Sequence, residues 1–111
     1  MVKFIITFST PANVAAFEGA YNDLLALVER MPDIERRQVV SVLGSPVGEV
    51  PYYRILEIYF DSVERMEASL RSKAGQETGG ELGRRFPAGK YSAFYAEVFE
   101  EAGGSTPTGT T

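Results

Sequence analysis

The sequence predicts an α+β domain in the order β-α-β-β-α-β, a ferredoxin-like arrangement with a four-stranded antiparallel sheet. Three observations carry that prediction. Alternating apolar residues recur over 2–8, 34–43, 52–60 and 90–99, the period of half-buried strands. Apolar residues three and four apart follow the first and third of these runs, the spacing of amphipathic helices. The two halves thus repeat one strand–helix–strand unit, the pattern of a split βαβ fold with both helices on one face of the sheet.

Each element has local reasons. In 2–8, Val2, Phe4, Ile6 and Phe8 share one face and Lys3, Ile5 and Thr7 the other; the all-apolar face is expected to meet the helices. Asn13 is placed to cap the first helix, with Pro11 leading into it. Val14, Phe17, Tyr21, Leu24, Val28 and Met31 form its inward stripe, and Pro32 ends it because the residue before a proline avoids the α region. The charges Glu35, Arg36 and Arg37, with Gln38, suit an edge strand. The segment 44–51 is rich in turn residues and leads to the third strand, whose aromatic and β-branched content suits a central position. Its alternation sets Arg54, Leu56, Ile58 and Phe60 against Tyr53, Ile55, Glu57 and Tyr59.

Asp61-Ser62-Val63-Glu64 reads as a capping box with Asp61 as the cap, opening a second helix with Val63, Met66 and Leu70 inward that ends near Lys73. The glycines at 75, 79, 80 and 83 argue against a stable helix there, so 75–83 is expected to be a weak helical turn or a mobile loop. The last strand sets Phe94, Ala96 and Val98 against Tyr91, Ala93, Tyr95 and Glu97. The domain is expected to span 1–100, and the small polar residues of 101–111 to form a disordered tail.

Composition narrows the chemistry. At 111 residues the chain is one domain in length, and its net charge of −4 opposes non-specific nucleic-acid binding, which needs a basic footprint. No apolar run approaches the roughly 20 residues of a membrane span, and no leader-like pattern precedes the first helix, so a cytoplasmic location is expected. Cysteine and histidine are both absent, which excludes thiolate nucleophiles, soft metal sites and the commonest general base. Neither a metal nor a cofactor is expected. The glycines of 75–83 follow a helix rather than a strand, and no Gly-Lys-Ser/Thr triplet is present, so they do not form a phosphate-binding loop.

The sheet face away from the helices is expected to show Ile5, Tyr53, Ile55, Tyr59, Tyr91 and Tyr95, an apolar and aromatic patch of the kind that marks an interaction surface. Pairing with a second copy through that face is the simplest cover for it. A ligand pocket between the first helix and the sheet is expected around Phe4, Phe17, Tyr21 and Leu24. Within it Tyr21 offers a hydroxyl and Arg54 a cation for an anionic ligand; a core tyrosine and an edge salt bridge are the simpler readings. The charged residues of the sheet face away from the helices, Lys3, Glu57 and Glu97, are placed for cross-strand or cross-subunit pairs. Glu57 buried at a dimer seam would be an acid of shifted pKa, and an ion pair with Arg36 or Arg37 is its simpler reading.

Several segments together resemble the EthD family of the dimeric α+β-barrel superfamily. They are Lys3-Phe4-Ile5-Ile6-Thr7-Phe8, Val28-Glu29-Arg30-Met31-Pro32, Gly44-Ser45-Pro46 through Pro51-Tyr52-Tyr53, Glu57-Ile58-Tyr59-Phe60-Asp61-Ser62, and the last strand to Glu97-Val98. The resemblance covers about residues 1–100 and implies a homodimer whose sheets close into a barrel. It also implies a setting in catabolic or secondary metabolism, beside an oxidoreductase system or as a cofactor-independent dehydratase, decarboxylase or monooxygenase on aromatic compounds. The chain departs from the family's pattern in the first helix. Many members carry His-x-Pro-Leu there, and this chain reads Leu24-Leu25-Ala26-Leu27, so the acid–base chemistry of that histidine does not carry over.

Three functions follow as expectations. The first is a small-molecule binding protein for an apolar or aromatic ligand. The second is a cofactor-independent enzyme using Tyr21 and Arg54, and the third a structural dimer acting through protein partners.

Overall fold

The computed structural model describes residues 1–101, so the expected disordered tail lies, apart from Glu101, outside the described residues. The chain runs β1 (Val2–Ser9), α1 (Val14–Val28), β2 (Arg36–Ser41), β3 (Tyr52–Phe60), α2 (Val63–Arg71), α3 (Lys73–Arg85) and β4 (Tyr91–Glu97). The four strands form one sheet in the order β2-β3-β1-β4, every neighbour antiparallel. This is the ferredoxin-like α+β fold, with the charged β2 at one edge and the aromatic β3 inside, as their compositions require.

The helices cover one face, and the core lies between. Ile6 and Phe8 of β1, Leu56, Ile58 and Phe60 of β3, and Phe17, Tyr21, Leu24 and Val28 of α1 are buried there with Met66, Leu82 and Phe86. The α1 stripe holds except at its first member, Val14, which is 51% exposed. Asn13 caps α1 by accepting the Ala16 N–H at 2.9 Å. At α2 the cap is Ser62, not Asp61: its Oγ accepts the Arg65 N–H at 3.2 Å.

The segment 75–83 departs most from expectation, since it lies within the 13-residue helix α3. Ser72 ends α2 and caps α3, its Oγ accepting the Gly75 N–H at 3.1 Å. Arg84 and Arg85 in the last turn oppose the negative end of the helix dipole. Thr78, Glu81 and Leu82 are buried on the inner side, and Glu81 pairs with both Arg84 and Arg85. Arg85 reaches on to Asp23 of α1 at 3.0 Å. Tertiary burial therefore outweighs the propensity cost of the glycines.

Register settles which side chains face away from the helices. Opposite residues of an antiparallel pair share a face, so Ile5 shares its face with Glu57 and Phe94, and Thr7 with Ile55 and Ser92. The open face therefore carries Lys3, Ile5, Thr7, Ile55, Glu57, Tyr59 and Phe94, with Arg36, Gln38 and Val40 from β2. Tyr91 and Tyr95, expected there, are instead on the helix side, opposite Phe8 and Phe4. Alternation along β4 alone leaves two assignments, and only pairing chooses between them. Glu57 makes the cross-strand pair with Lys3, at 3.4 Å across the β1–β3 pair, and not the one with Arg36 or Arg37.

Candidate functional site

Tyr53 is the third residue that leaves the open face. Phe8 pairs with Arg54 and Ser9 with Tyr52, so Tyr53 is an extra residue in β3. Such a bulge re-aims a side chain. Here it brings Tyr53 to the helix side beside Arg54, where Tyr53 Oη donates to Glu18 Oε2 at 3.0 Å.

Glu18 and Arg54 form a two-pronged ion pair, with Nη1 to Oε1 at 3.2 Å and Nη2 to Oε2 at 2.8 Å. The guanidinium lies 4.8 Å from the ring centre of Tyr21, 5.2 Å from that of Tyr53 and 5.6 Å from that of Phe17, an aromatic box around a cation. The simpler reading of Arg54, an ion pair, is thus what the structure shows. Its partner Glu18, on the adjoining helix, has no sequence signal to mark it. Arg54 Nε and Tyr21 Oη are buried without a hydrogen-bond partner in the protein.

The electrostatics follow from these contacts. The Arg54 hydrogen bonds hold the Glu18 carboxyl below its ordinary value, against the opposing effect of burial. Burial pushes the Tyr21 hydroxyl up, only partly offset by the Arg54 charge, so Tyr21 stays a neutral donor at pH 7 rather than a base. A carboxylate with a lowered folded pKa stabilises the fold above its unfolded pKa and loses that contribution as pH falls through the folded value. Stability is therefore expected to decline below about pH 4.5, the ordinary value for this carboxyl. Glu18→Gln should flatten that decline, although the effect is modest because the Glu18 side chain is 37% exposed. Urea midpoints at pH 7, 4.5 and 3 check this; parallel profiles for the two proteins would contradict it.

Beside this cluster, on the far side of Phe17, lies a cavity of about 270 Å³. The end of β1 supplies Phe8, the start of α1 supplies Ala16, Phe17 and Ala20, and the connection from α3 to β4 supplies Phe86 and Pro87. Asn13, Arg85 and Lys90 add the larger polar side chains. The rings of Phe8, Phe17 and Phe86 lie 5.1 to 5.8 Å apart, so they form one aromatic wall. A larger groove between α1 and α3, lined by Arg30, Lys73, Glu77 and Arg84 among others, is open and charged and encloses no apolar body.

Of the expected pocket residues, only Phe17 lines the cavity. Leu24 is fully buried core, and Phe4 lies farther along the helix side of β1, opposite Ile58 and Tyr95. Tyr21 is 1% exposed and packs behind the wall, stacked on Phe17 at 5.6 Å and edge-on to Phe8 at 5.5 Å. Phe86 and Pro87 were not legible as lining residues because the helix that delivers them is masked by its glycines. Among the described residues no three histidine, cysteine or carboxylate side chains gather closely enough to hold a metal ion, and no helix is long and apolar enough to cross a membrane.

Fold and cavity together define a ferredoxin-like α+β protein with an apolar recess between helices and sheet. Comparison with solved structures then points to a family. The chain resembles an EthD family protein from Bacillus halodurans with 27% identity and a TM-score of 0.83, over 89% of this chain and 99% of that one. The EthD-like character read from the sequence thus has a counterpart in the fold. A dimeric ferredoxin-like protein of unknown function from Jannaschia sp. matches at 13% identity and TM-score 0.68, over 88% of this chain and 100% of that one. A hydroxynitrile lyase from Passiflora edulis matches at 16% identity and TM-score 0.70, over 90% and 94%. At those identities the last two share the fold alone. No protein-family model matches the chain, and no curated relative matches it by sequence.

Proposed function

We propose that this EthD-like chain is a homodimeric small-molecule binding protein. Its ligand is apolar or aromatic and sits in the recess between the start of α1, the end of β1 and the α3–β4 connection. The observation that carries this reading is the cavity: its volume of about 270 Å³ is close to the lower end of ligand sites, and three phenylalanines wall it. By its family resemblance the protein works in a catabolic or secondary-metabolic pathway, as an accessory to an oxidoreductase system.

A homodimer formed through the open sheet face completes the reading. Ile5 and Tyr59 there are already almost buried, while Phe94 is 47% exposed and gains most from a partner. The Jannaschia protein of the same fold is described as dimeric, which supports the same assembly here.

The enzymatic alternative has one observation in its favour, the buried and unpartnered Tyr21 Oη and Arg54 Nε. Both lie behind Phe17 rather than on the cavity wall, so substrate reaches them only if that ring moves. Turnover that persists in Tyr21→Phe would reject the role assigned to this hydroxyl.

Binding is tested with 2-naphthalenemethanol, a probe with an aromatic body and no charge. Calorimetry should show saturable binding to the wild-type protein. Ala16→Trp fills the mouth from an exposed helix position and should weaken that binding at least tenfold while leaving the melting temperature within about 2 °C. Absence of saturable binding to the wild type of both this alcohol and its carboxylate counterpart, 2-naphthoate, would refute the reading.

A further inference from the structure

We propose that the ligand of this recess is an aromatic or alicyclic molecule bearing an anionic group, a carboxylate or an ionised phenol, which Lys90 reads at the rim. The inference rests on the binding role proposed above and names the ligand's chemical class.

Four observations converge on Lys90. No Asp or Glu lines the recess, although the chain as a whole carries 15 acidic residues against 11 basic ones. The two charged lining residues are both cations, Arg85 and Lys90. They are not equivalent. Arg85 is held between Asp23 at 3.0 Å and Glu81 at 2.7 Å, so its charge is already answered. Lys90 is in none of the ion pairs among the described residues, and its ammonium is the charge at this rim that a ligand anion can neutralise.

The backbone fixes where that charge sits. The Lys90 N–H donates to the Pro87 carbonyl at 3.0 Å, and the Lys90 carbonyl accepts from the Ser9 N–H at 2.9 Å. Gly89, at φ +83°, makes the turn between them, a conformation that glycine adopts freely. The backbone of Lys90 is thus anchored to β1 on one side and to the Phe86-Pro87 wall on the other. A lysine stem of four methylenes can lie along an apolar opening while its ammonium stays in water. A ligand whose ring enters the phenylalanine wall presents a substituent to the rim, and an anionic substituent there gains a charge-assisted hydrogen bond without being desolvated in the interior.

The test compares two probes of one shape, 2-naphthoate and 2-naphthalenemethanol, on the full-length protein by calorimetry. Wild-type protein should bind 2-naphthoate about tenfold tighter than the alcohol at low ionic strength, and the gap should shrink at 0.5 M NaCl, where the Debye length falls to roughly 4 Å. Lys90→Met should weaken 2-naphthoate about tenfold and the alcohol less than twofold, and Lys90→Arg should restore most of the preference. Lys90 is exposed, so these variants fold, and an unchanged melting temperature checks that they do. If the two probes bind the wild type equally, or Lys90→Met weakens both alike, the anionic class is wrong and the recess remains a neutral apolar site. If neither probe binds, the binding role itself fails, and this inference falls with it.

Discussion

Gly75→Ala is expected to destabilise the protein by about 2–3 kcal/mol, while Gly79→Ala, four residues on in the same helix, stabilises it by about 0.5–1 kcal/mol. Glycine-to-alanine in a helix interior is ordinarily favourable, because alanine restricts the unfolded chain and suits the helix. At Gly79 a Cβ would meet nothing within 4 Å, so only that gain applies. At Gly75 the added carbon would collide with the carbonyl oxygens of Ser69 and Leu70 and lie 2.7 Å from the Leu70 carbonyl carbon. All three are backbone atoms in the last turn of α2, and no rotamer change relieves them. The whole of α3 must shift, and with it Arg85 and Phe86, which line the recess. The destabilised variant should therefore melt roughly 10 °C lower and also bind 2-naphthalenemethanol more weakly. A Gly75→Ala protein that melts at or above the wild-type temperature would show that α2 and α3 do not meet this closely.

The same glycine explains what the sequence hid. Propensity counts four glycines against a helix over 75–83, and it is right about each of them taken singly. It does not see that one is required by the close passage of α2. Nor does it see that burial of Thr78 and Leu82, with Glu81 held by two arginines, outweighs the rest. The order of the strands and of the first two helices was legible because it rests on periodicity over seven or more residues, as in the α1 stripe from Phe17 to Val28. Which face each strand presents was legible only where one side is clearly more apolar. β1 and most of β3 meet that condition. β4 does not, because Phe94 and Tyr95 are equally plausible inward, and pairing with Ile5 and Phe4 decides between them. Tyr53 was misplaced for another reason: a bulge shifts the alternation by one residue, and nothing in Tyr52-Tyr53-Arg54 announces it. The candidate site suffered from both failures, since its wall comes from the end of α3 and its polar cluster from the bulge.

On the sheet-face dimer proposed above, Ile5→Lys should turn dimer into monomer while leaving the fold intact. Ile5 stands on an inner strand, with Glu57 of β3 and Phe94 of β4 opposite it, at the middle of the open face. Four strands about 4.8 Å apart and about seven residues long present a face of roughly 450 Å² in projection. A standard interface takes about 800 Å² of accessible surface from each partner, so a stable pair has to use this whole face, its centre included. A two-fold axis makes each substitution count twice, and two like charges meet in a seam that would otherwise exclude water. Glu57 is already engaged by Lys3, so each new ammonium in the seam lacks a counter-charge of its own and costs about 2 kcal/mol or more, and the dimer dissociation constant should rise by about a thousandfold. In the monomer the lysine stem can lie along the sheet and its charge reach water, so the core on the other face is untouched. Val14→Lys, at a half-exposed position on the helix layer, is the control and should leave the dimer unchanged. Light scattering at micromolar concentration reads both variants against the wild type. A monomeric wild type would remove the sheet-face assembly altogether, and a dimeric Ile5→Lys would move the interface to another surface, of which the aromatic edge strand β4, with Phe94 on one side and Tyr95 on the other, is the next to examine.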